Sequence, residues 1–228
     1  MSAAGPASDR RLIELSHVIR DGLVTYPGLP APVIEDHLTF EASRGAYAAG
    51  TEFRITRITL VANTGTYVDT PAHRYEDGTD LSGVALERLV DLDGVVVDAR
   101  GALERGIGPD IFLPHTVRGR AVLVLTGWSR HFGTPTYLAG HPFLTGAAAT
   151  YLAESGATLV GIDSLNIDDT SGGERPCHSI LLAADIPICE HLTALEQLPT
   201  TGFRFSAAPP RIEGMGTFPV RAWAGLDR

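Results

Sequence analysis

The chain has 228 residues, enough for one sizeable core, and its 44% hydrophobic and 20% charged content is ordinary for a globular protein. A net charge of −9 argues against nucleic acid and anionic membrane surfaces as partners, because no basic stripe is present to meet phosphates. The two cysteines, Cys177 and Cys189, are too few for a disulfide scaffold and suit a reducing, cytoplasmic setting.

In chain order, Met1 to Ser8 lacks the basic and apolar regions of a secretory signal, and no apolar run reaches the length of a membrane span. Residues 1–10 read as a disordered leader and 11–228 as a single domain without repeats or linkers. Arg11 to Ile19 is a short strand. Thr25 to Pro32 carries three prolines and is an extended loop. Val33 to Phe40 is a strand, and Glu41 to Gly50 a small, mobile segment. Thr51 to Ala62, with Phe53, Ile55, Ile58, Leu60 and Val61, has the β-branched content of a buried strand. Leu81 to Leu92 reads as a short helix or helical turn with Ser82 as a candidate cap. Gly94–Ala99, Arg120–Thr126 and Ala157–Ile162 are apolar strands. Thr145 to Glu154 is the clearest helix, capped by Thr145 and stopped by Gly156. Ser179 to Ala184 continues the core, Ile186 to Cys189 is a short strand, and Leu192 to Leu198 is a short helix. Phe203–Ala208 and Thr217–Ala222 close the chain as strands. The sum is a mixed α/β domain, β-rich and flanked by helices.

One stretch concentrates chemistry: Asn63-Thr64-Gly65-Thr66-Tyr67-Val68-Asp69-Thr70-Pro71-Ala72-His73. It follows an apolar strand and holds a Gly turn, hydroxyls, a carboxylate and an imidazole. A strand fixes a backbone while a loop aims polar groups, so the arrangement suits a site. The bland alternative is a connection with Asp69 and His73 solvated. A second polar cluster follows later: Asp163-Ser164 at a strand end, then His178, then Glu190 after the apolar run Ile186 to Cys189. A carboxylate at the end of a buried strand needs a partner. An ion pair with Arg175 would serve as well as a site.

The first stretch resembles the signature of the cyclase family, His-x-Gly-Thr-His-x-Asp-x-Pro-x-His, which includes kynurenine formamidase and isatin hydrolase. Gly65, Thr66, Asp69, Pro71 and His73 match it, whereas Asn63 and Tyr67 stand where the family has metal-binding histidines. His178 and Glu190 match the family's later ligands in order and context. The resemblance implies the family fold and a homodimer or tetramer. It implies a site with His73, Asp69 and Glu190 as catalytic groups and a small-molecule substrate, and the phenol of Tyr67, a departure from the motif, is a further catalytic candidate as a hydrogen-bond donor. Tyr26 lies in a loop that resembles the family's pocket wall. Asn63, Phe53 and Trp128 join Tyr26 as the expected substrate contacts.

The two substitutions bear on metal chemistry. Asn63 offers a neutral amide, and a protonated phenol such as Tyr67 is a poor ligand. One divalent ion, manganese, zinc or magnesium, could still be held by Asp69, His178 and Glu190. The leading expectation is therefore hydrolysis of an amide, lactam or lactone, with His73 moving the proton. The first alternative is a metal-free cyclase, isomerase or dehydratase working through Tyr67, His73 and the carboxylates. The second is an inert ligand-binding homologue. Nucleophilic serine chemistry lacks its Gly-x-Ser-x-Gly elbow, and Gly172-Gly173 lacks the Lys of a phosphate loop. His17 is a candidate pocket residue, His131 and His141 are expected to be solvated or capping, and His191 is expected to face away from Glu190.

Overall fold

Continuous apolar runs such as Val95–Val97 and Ala121–Leu125 form strands buried on both faces, because side chains alternate between two cores. The computed structural model describes residues 10–226, so the leader expected at 1–10 lies, except for Arg10, outside the described residues. The first strands are β1 (Arg11–Glu14), β2 (Val33–Leu38), β3 (Ile55–Thr59), β4 (Tyr67–Asp69) and β5 (Leu92–Asp98). Next come β6 (Gly106–Ile107), β7 (Ala121–Leu125), β8 (Phe143–Leu144), β9 (Leu159–Ile162) and β10 (Ile188–Glu190). The chain closes with β11 (Phe203–Ser206), β12 (Thr217–Pro219) and β13 (Trp223–Leu226). The helices are α1 (Phe40–Ser43), α2 (Gly146–Glu154) and α3 (Pro176–Ala183).

Nine of these strands form one sheet in the order β1-β13-β11-β5-β7-β9-β10-β4-β12. Its centre, β5-β7-β9-β10, is parallel, and antiparallel strands extend it on both sides. Val95, Val97, Val122, Val124, Val160, Ile162 and Ile188 point to the face covered by α2 and α3. Val96, Leu123, Leu125, Leu159 and Cys189 point to the other. Truncating any fully buried Leu or Ile here to Ala would cost about 2–5 kcal/mol. The mixed α/β, β-rich architecture is as the sequence indicates.

Four local expectations change. Residues 51–62 do not form a buried strand: β3 pairs only with β2 in a ribbon apart from the main sheet, with Phe53 51% and Ile58 50% exposed. β-Branched content reports strand preference, not burial. The segment after Leu38 begins with α1, capped by the Thr39 hydroxyl accepting from Ala42 N, rather than as a loose stretch. Leu81 to Leu92 holds a helical turn, as expected, in the 3-10 form at Leu86–Arg88, but its cap differs. Ser82 caps nothing there, since Asp80 Oδ1 accepts from Ser82 N and Gly83 N. Pro176–Ala183 is a helix where the sequence reading saw only core. Its cap comes from Asp168, whose carboxylate accepts from Cys177 N at 2.7 Å and His178 N at 3.1 Å. A cap that far upstream has no local sequence signal.

Candidate active site

Strand register assembles the site. In the antiparallel pair β4–β10, Tyr67 lies opposite Glu190, and in β4–β12, Asp69 lies opposite Thr217. Val68 and Cys189 point into the core away from α3, so alternation turns Tyr67, Asp69 and Glu190 toward α3. That helix brings His178 to them. Two glycines make the approach possible. Gly65, at φ +67°, turns the chain into β4. Gly216 passes so close to the 3-10 turn Pro71–His73 that a Cβ there would sit 2.1 Å from His73 N.

His178 Nδ1 lies 2.7 Å from Asp168 Oδ2, which fixes the ring. Its Nε2 then faces Asp69 Oδ2 at 3.7 Å and Glu190 Oε1 at 3.8 Å. Burial disfavours a charged imidazole here, but Asp168, Asp69 and Glu190 outweigh it and hold the His178 pKa up at about 10. Burial also works against the Asp168 carboxylate. The hydrogen bonds from His178 and from Cys177 N prevail and keep its pKa below the usual range.

Glu190 is fully buried and its oxygens are engaged. Oε1 accepts from Ile167 N at 2.6 Å, and Oε2 accepts from the Tyr67 hydroxyl at 2.6 Å and Asn166 Nδ2 at 3.3 Å. Burial pushes the carboxyl up to about 7 despite the opposing pull of His178. Burial, then the Glu190 and Asp69 charges, push the Tyr67 phenol well above its usual pKa, so it stays protonated. Behind it, His191 Nε2 lies 3.4 Å from the Tyr67 oxygen and His191 Nδ1 2.8 Å from the Tyr137 hydroxyl. Burial lowers His191 to about 3, so the ring is neutral. Tyr67 spends its one proton on Glu190. The consistent tautomer puts the His191 proton on Nε2 and leaves Nδ1 to accept from Tyr137.

Asp69 is held differently. Its Oδ1 accepts from the Thr217 hydroxyl, which also lies 2.7 Å from His73 Nδ1. Its Oδ2 is buried and has no hydrogen-bond partner. A buried carboxylate oxygen without a hydrogen bond is a costly arrangement unless a cation offsets it, the His178 imidazolium in the metal-free protein or a metal ion in its place. One ligand atom each from Asp69, His73 and His178 lie within 4.8 Å of one another, a spacing that fits one metal ion. The Asp168–His178 bond supplies the outer carboxylate that metal-binding histidines commonly carry. Asn63 and Tyr67 offer no second set of this kind, since Tyr67 is committed to Glu190.

Of these groups, Tyr67, His73, Asn166, His178 and Glu190 line a cavity of about 800 Å³, walled by Tyr26, Pro27, Gly28 and Leu29 of the proline-rich loop and by Asn63. Of the expected substrate contacts, Tyr26 and Asn63 line it. Phe53 and Trp128 do not. Phe53 lies on the exposed ribbon against Tyr47, and Trp128 sits in a 3-10 turn with Nε1 donating to Tyr137 O. Arg175 does not pair with Glu190, because its Nη1 donates to the carbonyls of Asp169, Gly172 and Glu174. Asp163 accepts from Thr126 N and Gly127 N and anchors that loop. His17 stacks on Phe132 with centroids 3.6 Å apart, outside the cavity lining. His141 is buried, with Nδ1 3.0 Å from Pro142 O. His191 turns back toward Tyr67 because its φ is +56°, which ends the strand alternation that would have pointed it away. The sequence reading missed Asp168, Asn166 and Thr217. The polar run beginning at Asp163 was the available signal for the first two. Thr217 has none before strand pairing is known.

A family model described as "Putative cyclase" matches residues 13–169, ending before His178 and Glu190. Kynurenine formamidase of Erythrobacter litoralis is 27% identical over 90% of this chain and 89% of that protein. Kynurenine formamidase of Delftia acidovorans is 24% identical over 93% and 96%. Among solved structures, isatin hydrolase A from Labrenzia aggregata superposes with a TM-score of 0.82 at 23% identity, covering 96% of this chain and 94% of that one. A structure titled as a potential metal-dependent hydrolase with cyclase activity gives 0.76 at 25% identity, covering 96% and 98%.

Proposed function

Because this chain belongs to the cyclase family, we propose that it is a hydrolase opening an amide or lactam bond of a small carbonyl substrate, aided by one divalent ion. The relatives named kynurenine formamidase support the reaction class. The observation that carries the metal part is the buried Asp69 Oδ2, which makes no hydrogen bond and lies with His73 and His178 at a spacing that fits one ion.

Asp69, His73 and His178 would hold the ion. When bound, it would polarise the substrate carbonyl and acidify a water. Taking His73 rather than Glu190 as a ligand raises the nitrogen content of the set, which suits zinc or manganese better than magnesium. Glu190 is then free for proton transfer. It takes a proton from the attacking water and returns it to the leaving nitrogen. Tyr67 and Asn166 hold that carboxylate in place. The Tyr26–Leu29 wall covers the substrate and limits water.

The test is to purify the protein without added metal, load it with manganese or zinc, and assay an aryl formamide and a lactam. Turnover that is lost in chelator and in Asp69→Asn supports the hydrolase. Metal-independent conversion of a cyclisable substrate would favour the second reading, a metal-free cyclase or isomerase. The Tyr67–Glu190 hydrogen bond in the place of two metal ligands is what favours that reading.

We also infer self-association through the ribbon β2–β3, where Ile34 and Ile58 pair across the strands and both are exposed. Ile58→Glu should shift a dimer or tetramer toward monomer in light scattering. The two free, buried thiols suit the cytoplasm. No described helix is long and apolar enough to cross a membrane.

A further inference from the structure

One buried imidazole beside the cavity has no part in the chemistry above. His191 follows Glu190 directly, is fully buried and does not line the cavity. Its left-handed backbone, φ +56°, turns the ring against Tyr67, with ring centroids 5.1 Å apart. That turn is held in place: Thr66 Oγ1 donates to His191 O at 2.6 Å and accepts from His17 N at 3.0 Å. The residue before Tyr67 thus clamps the backbone of the residue behind it.

A phenol hydroxyl has one proton to give and lone pairs that accept. Around the Tyr67 oxygen, Glu190 Oε2 lies at 2.6 Å, His191 Nε2 at 3.4 Å, and the Asn63 side chain is a third partner. A carboxylate can only accept, so a Tyr67 proton turned toward His191 would leave two buried oxygens facing each other at 2.6 Å. The order of the chain follows. The Tyr137 hydroxyl, 2.8 Å from His191 Nδ1, donates to it, His191 Nε2–H donates to Tyr67, and Tyr67 donates to Glu190. Every donor points the same way, and each bond polarises the next. The far end is anchored as well: Tyr137 is buried, and its carbonyl accepts from Trp128 Nε1 at 3.1 Å. Burial keeps His191 neutral, so it adds direction without a charge that would compete with His178 for Glu190.

We propose that His191 is a positioning residue: its Nε2–H binds the Tyr67 oxygen, commits the Tyr67 proton to Glu190 and so fixes the aim of that carboxylate into the cavity. The proposal rests on the hydrolase reading for the proton transfer by Glu190, but not for the order of the chain.

Two measurements test it. NMR of isotopically labelled, zinc-loaded protein reads the ring directly. His191 should carry its proton on Nε2, and the signal of that proton should move in Tyr67→Phe. A proton on Nδ1, or an Nε2–H signal unmoved by Tyr67→Phe, overturns the proposal. Kinetics with formanilide read the consequence. His191→Leu should lower kcat by about 10–100-fold with KM and manganese affinity within about 2-fold of wild type. His191→Gln, which can restore a donor, should recover most of the loss. In a Tyr67→Phe background, His191→Leu should lower kcat no further. A loss of the same size in that background means that His191 acts only as packing, and overturns the proposal. If His191→Leu does not fold, the NMR comparison and His191→Gln decide. A wild type that turns over neither formanilide nor a lactam rejects the hydrolase reading, and the NMR result alone then decides the chain.

Discussion

Tyr67 and Glu190 face each other across an antiparallel strand pair, and the phenol donates to the carboxylate at 2.6 Å inside the protein. Tyr67 is 1% exposed and Glu190 0%, so neither partner has water as a substitute. Tyr67→Phe keeps the ring and removes the donor. It should cost about 1–3 kcal/mol of stability and lower kcat by about 10–100-fold, measured by urea unfolding and steady-state kinetics. Wild-type kcat in a folded Tyr67→Phe protein would remove Tyr67 from the reaction.

Asp69→Asn removes a buried carboxylate whose Oδ2 faces the His178 imidazolium at 3.7 Å in the metal-free protein. The metal-free variant should therefore melt lower than the metal-free wild type, and it should lose metal binding and activity together. Calorimetric titration with manganese checks the first loss, and a variant that binds manganese normally would refute the ligand assignment.

Asp168 acts through His178. Asp168→Asn removes the acceptor that orients the ring and should weaken metal affinity by about 10–100-fold. It should also destabilise α3, because the same carboxylate accepts from Cys177 N and His178 N. Chelator competition measures the affinity, and an unchanged constant would show that His178 is oriented otherwise.

The pH dependence of the metal-free protein follows from His178. Its folded pKa of about 10 is raised above the ordinary 6.5, so its contribution is complete below about 6.5 and is lost as pH rises through 10. Glu190, raised from 4.5 to about 7, adds a loss in the same direction between about pH 4.5 and 7, just below that range. Stability should therefore fall between pH 7 and 10, and His178→Gln should flatten the fall. Urea midpoints across the range decide it. A wild-type profile as flat as that of His178→Gln would contradict the raised pKa.

Gly216→Ala should be severe for so small a change. The added methyl would lie 2.1 Å from His73 N and 2.5 Å from Ala72 C, both backbone. About 2–4 kcal/mol of stability should go, with activity falling as His73 is displaced. A melting temperature within a degree of wild type would mean the contact relaxes freely.

Much of the sheet was legible because its central strands are apolar on both faces, and β5, β7 and β9 announce themselves as unbroken runs. The candidate site residues were singled out for a different reason: Asp69, His73, His178 and Glu190 match the cyclase-family motif, whereas the stretch before Asp69 is an exposed ribbon that strand pattern alone misread. Asp168 and Thr217 were not. One reaches His178 from 10 positions upstream, across the irregular loop before α3, and the other meets Asp69 only through strand pairing. The orientation of His191 depends on a single left-handed residue, which no periodicity encodes. The exposed ribbon misled for another reason: strand propensity is local, whereas burial depends on what else packs there.

The first and last described strands are hydrogen-bonded neighbours, with Arg11 opposite Leu226. The two ends of the folded chain thus meet at one corner of the sheet, far in sequence from every ligand and acid of the cavity. A short peptide joining them would close the molecule into a ring without moving a catalytic atom. The ring could then be reopened at the exposed turn around Leu103, making this enzyme a natural subject for circular permutation.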